Sequence, residues 1–394
     1  MKRLPDLSTL DTSTQTSSSI LCVGNGWFPV MPGGLNRYVY ELIHQLARKG
    51  DRVELCGVGL PDAETTPGLT FTNFASPHHP VWQRLWSARQ CFLQREGAPV
   101  DAINLHFAFY SFPVLDLLPE SVPLTLTFHG PWALESERET PNKLNVWAKQ
   151  WIEERVYQRC DRFIVLSQAF ADLLHHHHHV PWSKIHQISG GVDIQRFQPN
   201  LSRQQAREQL GWSSDRFILF TPRRLVQRMG IENLLTALAK VKSRYPDVWL
   251  AIAGRGALRE PLEQQAVALG LENHVKFLGY LPDQQLPIAY QAADLTVVPS
   301  LALEGFGLIL LESLASGTPV LCTPIGGMPE VLAGFAPELI TASTDANAIA
   351  ARLQDWLAHP FLLPSRDACR EYAALNFDWS IIVDKVRHVL LAKI

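Results

Sequence analysis

The chain has 394 residues, 46% of them hydrophobic and 19% charged, which is the balance of an ordinary soluble protein with about two domains and not of a disordered chain. Thirty-five Lys plus Arg against 38 Asp plus Glu leave a net charge of −3, so no global positive field exists to hold nucleic acid. Six scattered cysteines without a C-x-x-C pair fit reduced thiols in the cytoplasm, and no run reaches the roughly 18 apolar residues of a membrane span.

Residues 1–19 read as a flexible Ser/Thr-rich tail without the apolar stretch of a signal peptide. Short apolar runs then alternate with segments of helical spacing, the pattern of parallel sheets with crossover helices. In the first half these runs are ILCV from Ile20, VELCGV from Val53, AINLHF from Ala102, LTLTF from Leu124 and FIVLS from Phe163. Gly33 and Gly34 lie between the first strand and a helix expected from about Asn36 to Lys49. Glycines there let backbone approach a phosphate at a helix start, though a plain structural turn explains the pair equally well.

From His78 to Arg95, Trp82, Trp86 and Phe92 alternate with Arg84, Arg89 and Arg95. Such a helix can lie on an anionic membrane, border an acceptor site, or pack its aromatics inward. His129 ends PLTLTFHG at the carboxyl end of a strand, where cleft residues sit. The run His175–His179 does not make a metal site, because successive helical residues point in different directions. No D-x-D motif occurs either, and no metal is expected.

The segment from Gly190 to Asp215 carries no strand signal and reads as a connector. The second half brings FILFT from Phe217, VWLAIAG from Val248, VKFLG from Val275, LTVVPS from Leu295 and PVLCT from Pro319. The expected organisation is a first domain over 20–192, a connector over 193–215, a second domain over 216–377, and a last helix over 378–394 that either closes the second domain or crosses back to the first. Two Rossmann-like parallel-sheet domains would then face a central cleft.

The most informative stretch is EGFGLILLESLASGTPVLCTPIGGMPEV from Glu304. EGFG stands at a strand-to-helix turn, where free amides at the helix start favour anionic or hydroxyl-rich ligands. Glu312 lies eight residues on, about 12 Å along a helix, which suits one carboxylate to a sugar and the other to a ribose across a diphosphate. A cap at Glu304 and a solvated charge at Glu312 would be the plain alternative. Glu312, however, sits between Leu311 and Leu314 on an apolar helix, where an unpaired carboxylate is costly.

This pattern resembles the retaining glycosyltransferases of family 4, whose fold is GT-B and whose signature is two glutamates separated by seven residues with Gly-Phe-Gly after the first. The resemblance covers almost the whole chain from Ile20. It implies that Glu304 contacts the donor sugar and Glu312 the ribose, with the amides of Phe306 and Gly307 near sugar hydroxyls and that of Leu308 near phosphate. Gly33 and Gly34 would close over the diphosphate from the other domain, and His129 would stand near the sugar. The family places an Arg and then a Lys before a Gly in the second domain; here TPRRLVQRMG puts Arg224 in the Arg place and Met229 in the Lys place. Arg228 is then the expected substitute cation.

The resemblance implies a retaining hexosyltransferase that uses a nucleotide-diphosphate sugar as donor substrate, with no cofactor or metal. The acceptor would be a glycan, lipid or small molecule. Location would be cytoplasmic, with peripheral contact at the inner face of an anionic membrane as an option. The alternative is a catalytically silent protein of the same fold that binds a nucleotide sugar or a partner enzyme, an idea supported by Met229 and opposed by the intact glutamate pair.

Overall fold

The computed structural model describes residues 17–62, 65–95, 99–139, 142–198 and 200–393; most of the Ser/Thr-rich tail, through residue 16, lies outside the described residues. The first sheet has seven parallel strands, β1 (Ser19–Gly26), β2 (Arg52–Val58), β3 (Leu69–Asn73), β4 (Ala102–Leu105), β5 (Leu124–Phe128), β6 (Arg162–Val165) and β7 (Ile185–Gln187), in the order β3-β2-β1-β4-β5-β6-β7. The second has five, β8 (Phe217–Pro222), β9 (Val248–Ala253), β10 (Val275–Gly279), β11 (Leu295–Val298) and β12 (Val320–Cys322), in the order β10-β9-β8-β11-β12. Both orders reverse beside the first strand of their sheet, and the crevice outside that reversal is where open parallel sheets bind ligands.

Central strands are continuous apolar runs because helices cover both faces: LTLTF of β5 and LTVV of β11 are buried throughout. The edge strand β3, LTFTN, is mostly half-exposed, and β7 has only three residues. Neither stands out as an apolar run, so the sequence pattern passes over both.

The segment read as a bare connector contains a helix, Arg203–Leu210. Ser202 and Gln205 form a reciprocal capping box at its start, and Gly211 ends it in the left-handed region at φ 64. Its buried Arg207 donates to the Ala292 carbonyl at 2.9 Å and to Asp294 at 2.6 Å, which ties the helix to the second sheet.

The last helix, Trp379–Leu391, crosses back onto the first domain. Trp379, Ile382, Val383, Val386 and Leu390 are buried beneath it. Arg387 pairs with Asp51 at 2.7 Å, Lys49 with Asp384 at 2.8 Å, and Arg162 donates to the Val389 carbonyl at 3.1 Å. Among the described residues no helix is long and apolar enough to cross a membrane.

Candidate active site

The ends of four strands, β1, β5, β8 and β11, build the site. After β11 the chain runs through Leu303, held at φ 51, before Glu304. Left-handed backbone at a branched apolar residue is strained, and such strain persists where surrounding contacts fix it. Here Arg228 donates to the Leu303 carbonyl at 3.1 Å. Gly326 backs the same turn: a Cβ there would stand 1.7 Å from the Glu304 carbonyl oxygen, so only glycine fits. Gly307, at φ 79, then turns the chain into the helix Leu308–Ala315.

Glu304 is gripped by Arg223, the first residue after β8, and accepts from the Ser300 hydroxyl at 3.3 Å. Burial pushes its carboxyl up, but the Arg223 guanidinium and the more distant Arg228 outweigh it, and the group is held below the ordinary carboxylate range. It is an anion with a fixed orientation. Arg223 was not singled out in the sequence; its neighbour Arg224, which stands exposed on the cleft wall, was.

A cavity of about 520 Å³ lies between the domains. Gly33, Gly34 and His129 line it from the first domain, and Arg224, Arg228, Glu304, Phe306, Gly307 and Leu308 from the second. The structure thus brings together nine of the ten residues expected at the site. A Cβ at Gly33 or Gly34 would meet no atom within 4 Å. Packing inside the protein therefore does not demand glycine at either position, although the Gly33 backbone, at φ 157, favours glycine by its own conformation; the open cleft side remains available for a ligand.

Arg228 reaches across the cleft, with Nη2 3.3 Å from Glu135 of the first domain. Met229 is only 4% exposed and belongs to the core of the second domain while its edge touches the cavity. Three guanidiniums, those of Arg223, Arg224 and Arg228, line the cavity at this turn, Arg223 paired with Glu304.

His129 follows β5, with Nε2 3.2 Å from Nδ1 of His106 and its ring edge-on to Tyr38 at 5.0 Å. Burial lowers its pKa to about 3, so it is a neutral hydrogen-bonding group. Behind it, the Glu153 carboxylate accepts from the amides of Trp132 and Ala133 at 2.7 and 3.4 Å and caps the helix Trp132–Glu139. Burial is the largest influence on Glu153 and raises its pKa to about 7.

Glu312 stands apart from the other nine. It is 5% exposed, accepts from Arg37 at 2.9 Å and from the Tyr290 hydroxyl at 2.8 Å, and borders a second, much smaller cavity with Arg37, Asp193 and Trp379. Leu308 lines both cavities. Asp193 accepts from the Arg196 amide at 3.0 Å.

Elsewhere, the three arginines of the aromatic helix Val81–Leu93 and its end are all engaged: Arg84 with the Tyr110 hydroxyl at 2.8 Å, Arg89 with Asp116 at 2.6 Å, and Arg95 with Glu54 at 2.6 Å. Phe92 packs toward Phe74, while Trp82 and Trp86 are 70% and 60% exposed. His175 stacks on Trp182 at 4.5 Å, and among the described residues no group of three His, Cys, Asp or Glu side chains gathers to hold a metal.

The family described as "Glycosyl transferases group 1" matches residues 202–375, and "Glycosyltransferase Family 4" matches residues 32–196. A D-inositol 3-phosphate glycosyltransferase of Mycolicibacterium smegmatis is 30% identical over 375 residues, which is 89% of this chain and 84% of that protein. A GDP-mannose-dependent alpha-(1-6)-phosphatidylinositol monomannoside mannosyltransferase of the same organism is 34% identical over 207 residues, 50% of this chain; the chain spans about half, 54%, of that relative. Among solved structures, Alr3699/HepE of Anabaena in complex with UDP and glucose superposes with a TM-score of 0.73 at 20% identity, over 95% of this chain and 99% of that one.

Proposed function

The chain belongs to glycosyltransferase family 4 and has the GT-B fold, and from that premise we propose that it is a retaining, metal-independent hexosyltransferase that moves a sugar from a nucleotide-diphosphate sugar to an acceptor hydroxyl. The observation that carries this reading is the convergence of Glu304, Arg224, Arg228, His129 and the Gly33–Gly34 pair on one interdomain cavity. Names of similar proteins support the donor class: one relative is GDP-mannose-dependent and one structural neighbour holds UDP and glucose.

On this reading the diphosphate leaves toward Arg224 and Arg228, whose charges stabilise the negative charge that grows on it. The acceptor oxygen attacks the anomeric carbon from the face the phosphate is leaving. The C–O bond to phosphate breaks as the new C–O bond forms, and the departing phosphate oxygen takes the acceptor proton, so no protein base is consumed. Glu304, fixed by Arg223, accepts from sugar hydroxyls, and His129 contacts the sugar from the opposite domain. Glu312 is assigned to the ribose once Arg37 releases it. Exposed Trp82 and Trp86 on the first domain support contact with a membrane interface and hence a lipid among the acceptors, at the cytoplasmic face.

A thermal-shift screen against UDP-, GDP- and ADP-sugars, followed by hydrolysis and transfer assays, tests the proposal. A donor that raises the melting temperature and is consumed supports it. A donor that binds and is never consumed, with any acceptor or with water, replaces it with the silent-binder reading. Activity should survive EDTA, and NMR of the product should give the anomeric configuration of the donor.

A further inference from the structure

His106 lies at the end of β4, buried beside His129 and under the same Tyr38 ring. Its Nδ1 and Nε2 of His129 are 3.2 Å apart. Burial drives both imidazoles below their ordinary range, the proximity of His129 adding to the effect on His106, so the pair is neutral. One hydrogen is shared across the contact, and two arrangements are open. If His129 donated from Nε2, His106 would have to carry its own hydrogen on the opposite nitrogen, Nε2. That atom is sealed from solvent and has no partner among the described residues. A buried N–H without an acceptor forfeits its hydration with nothing in return, whereas an unfilled lone pair is the smaller loss.

We infer that His106 is a positioning residue: it donates Nδ1–H to His129 Nε2, fixes His129 as the Nδ1–H tautomer, and so makes His129 a hydrogen-bond donor toward an oxygen of the donor sugar or its phosphate. Without this contact a neutral imidazole in water favours the Nε2–H form, so His106 holds His129 in the less common state. The role in transfer rests on the proposed function; the tautomer itself does not.

Nitrogen NMR of protein labelled at the histidine rings reads the tautomer directly, with His129 assigned by the signal lost in His129→Gln. The expected spectrum of the unaltered protein has His129 protonated at Nδ1 and bare at Nε2; protonation at Nε2 overturns the inference without any variant. His106→Leu should return His129 to Nε2–H, while His106→Asn, whose amide nitrogen can stand near the Nδ1 position, should keep Nδ1–H. In transfer assays His106→Leu should lower kcat/KM about tenfold, the loss of one hydrogen bond, and His106→Asn should restore most of it. If the spectra are as expected yet both variants transfer at the parent rate, the donation to substrate is overturned. An inactive parent would fail the proposed function and leave the spectra to judge the tautomer.

Discussion

Arg37, on the first helix of the first domain (Gly34–Arg48), and Glu312, in the second domain, are joined across the interface at 2.9 Å, both nearly buried. The same guanidinium grips Asp283, which is also held by Arg196, and Arg196 reaches Glu41 at 3.4 Å. Five charged groups thus alternate across the domain boundary, and the carboxylate assigned to the ribose is occupied by a residue of the opposite domain.

Arg37→Met should free Glu312 and tighten binding of a nucleoside diphosphate by several-fold, measured by calorimetry. A 2′,3′-dideoxy analogue should show no gain, since it has no ribose hydroxyls to donate to Glu312. Equal gains for both ligands would remove Glu312 from the ribose. Glu312→Ala should weaken ribonucleotide binding while leaving turnover at saturating donor nearly intact.

Glu304→Gln should keep the fold and most nucleotide affinity but lower turnover at least about tenfold, the effect of 1.4 kcal/mol lost from the transition state. Arg223→Met should do comparable damage, because Glu304 then loses the cation that orients it. Steady-state kinetics on both variants, with circular dichroism to check folding, decide the point.

At the diphosphate, Arg228→Ala and Arg224→Ala should each slow transfer strongly, and Met229→Ala should do little to the chemistry beyond a loss of stability from its buried site. Adding Met229→Lys to Arg228→Ala should recover part of the rate. Transfer at the parent rate by Arg228→Ala would leave Arg224 as the working cation.

His129 and Glu153 impose opposite pH dependences. His129 is lowered from 6.5 to about 3, so between those values the unfolded chain binds the extra proton, and its contribution to stability falls as pH drops from 6.5 toward 3. Glu153 is raised from 4.5 to about 7, so the folded chain holds the extra proton, and its contribution falls as pH rises from 4.5 to 7. Melting temperatures across pH 3 to 8 should show a flatter acid limb in His129→Gln and a smaller decline above pH 4.5 in Glu153→Gln.

Because Arg84, Arg89 and Arg95 are held by protein partners, vesicle binding should depend on Trp82 and Trp86. Trp82→Ser with Trp86→Ser should abolish flotation with phospholipid vesicles, and Gln at the three arginines should change it little. A steep loss with the arginine variants alone would reinstate an electrostatic contact.

Much of this architecture was legible because parallel strands announce themselves as apolar runs, and all five strands of the second sheet did so. β3 was hidden by its half-exposed edge position and β7 by its length. The capping box at Ser202 and Gln205 was a readable signal for the helix in the connector, but the segment lacks the apolar face that draws attention. Glu304 and the turn around it were readable since strand, glycines and helix lie within a few residues. Arg223 was overshadowed by Arg224: two adjacent arginines point to opposite tasks, one inward to a carboxylate and one out to the cleft, and spacing does not say which. The Arg37–Glu312 contact joins residues 275 positions apart, a pairing set by how two domains dock.

The returning C-terminal helix has a consequence for synthesis. Trp379, Ile382 and Val386 seal the first domain against its own helix and sheet, yet they leave the ribosome after the entire second domain. Domains usually fold in the order in which they emerge. Here the earlier one stays open along this face until the second domain and the helix after it have been made, with its sheet and first helix incompletely covered in the meantime. The two halves of the enzyme are therefore completed together rather than in succession, and a ribosome stalled shortly before Asp378 would present a nascent chain whose first domain is the more vulnerable of the two to proteolysis.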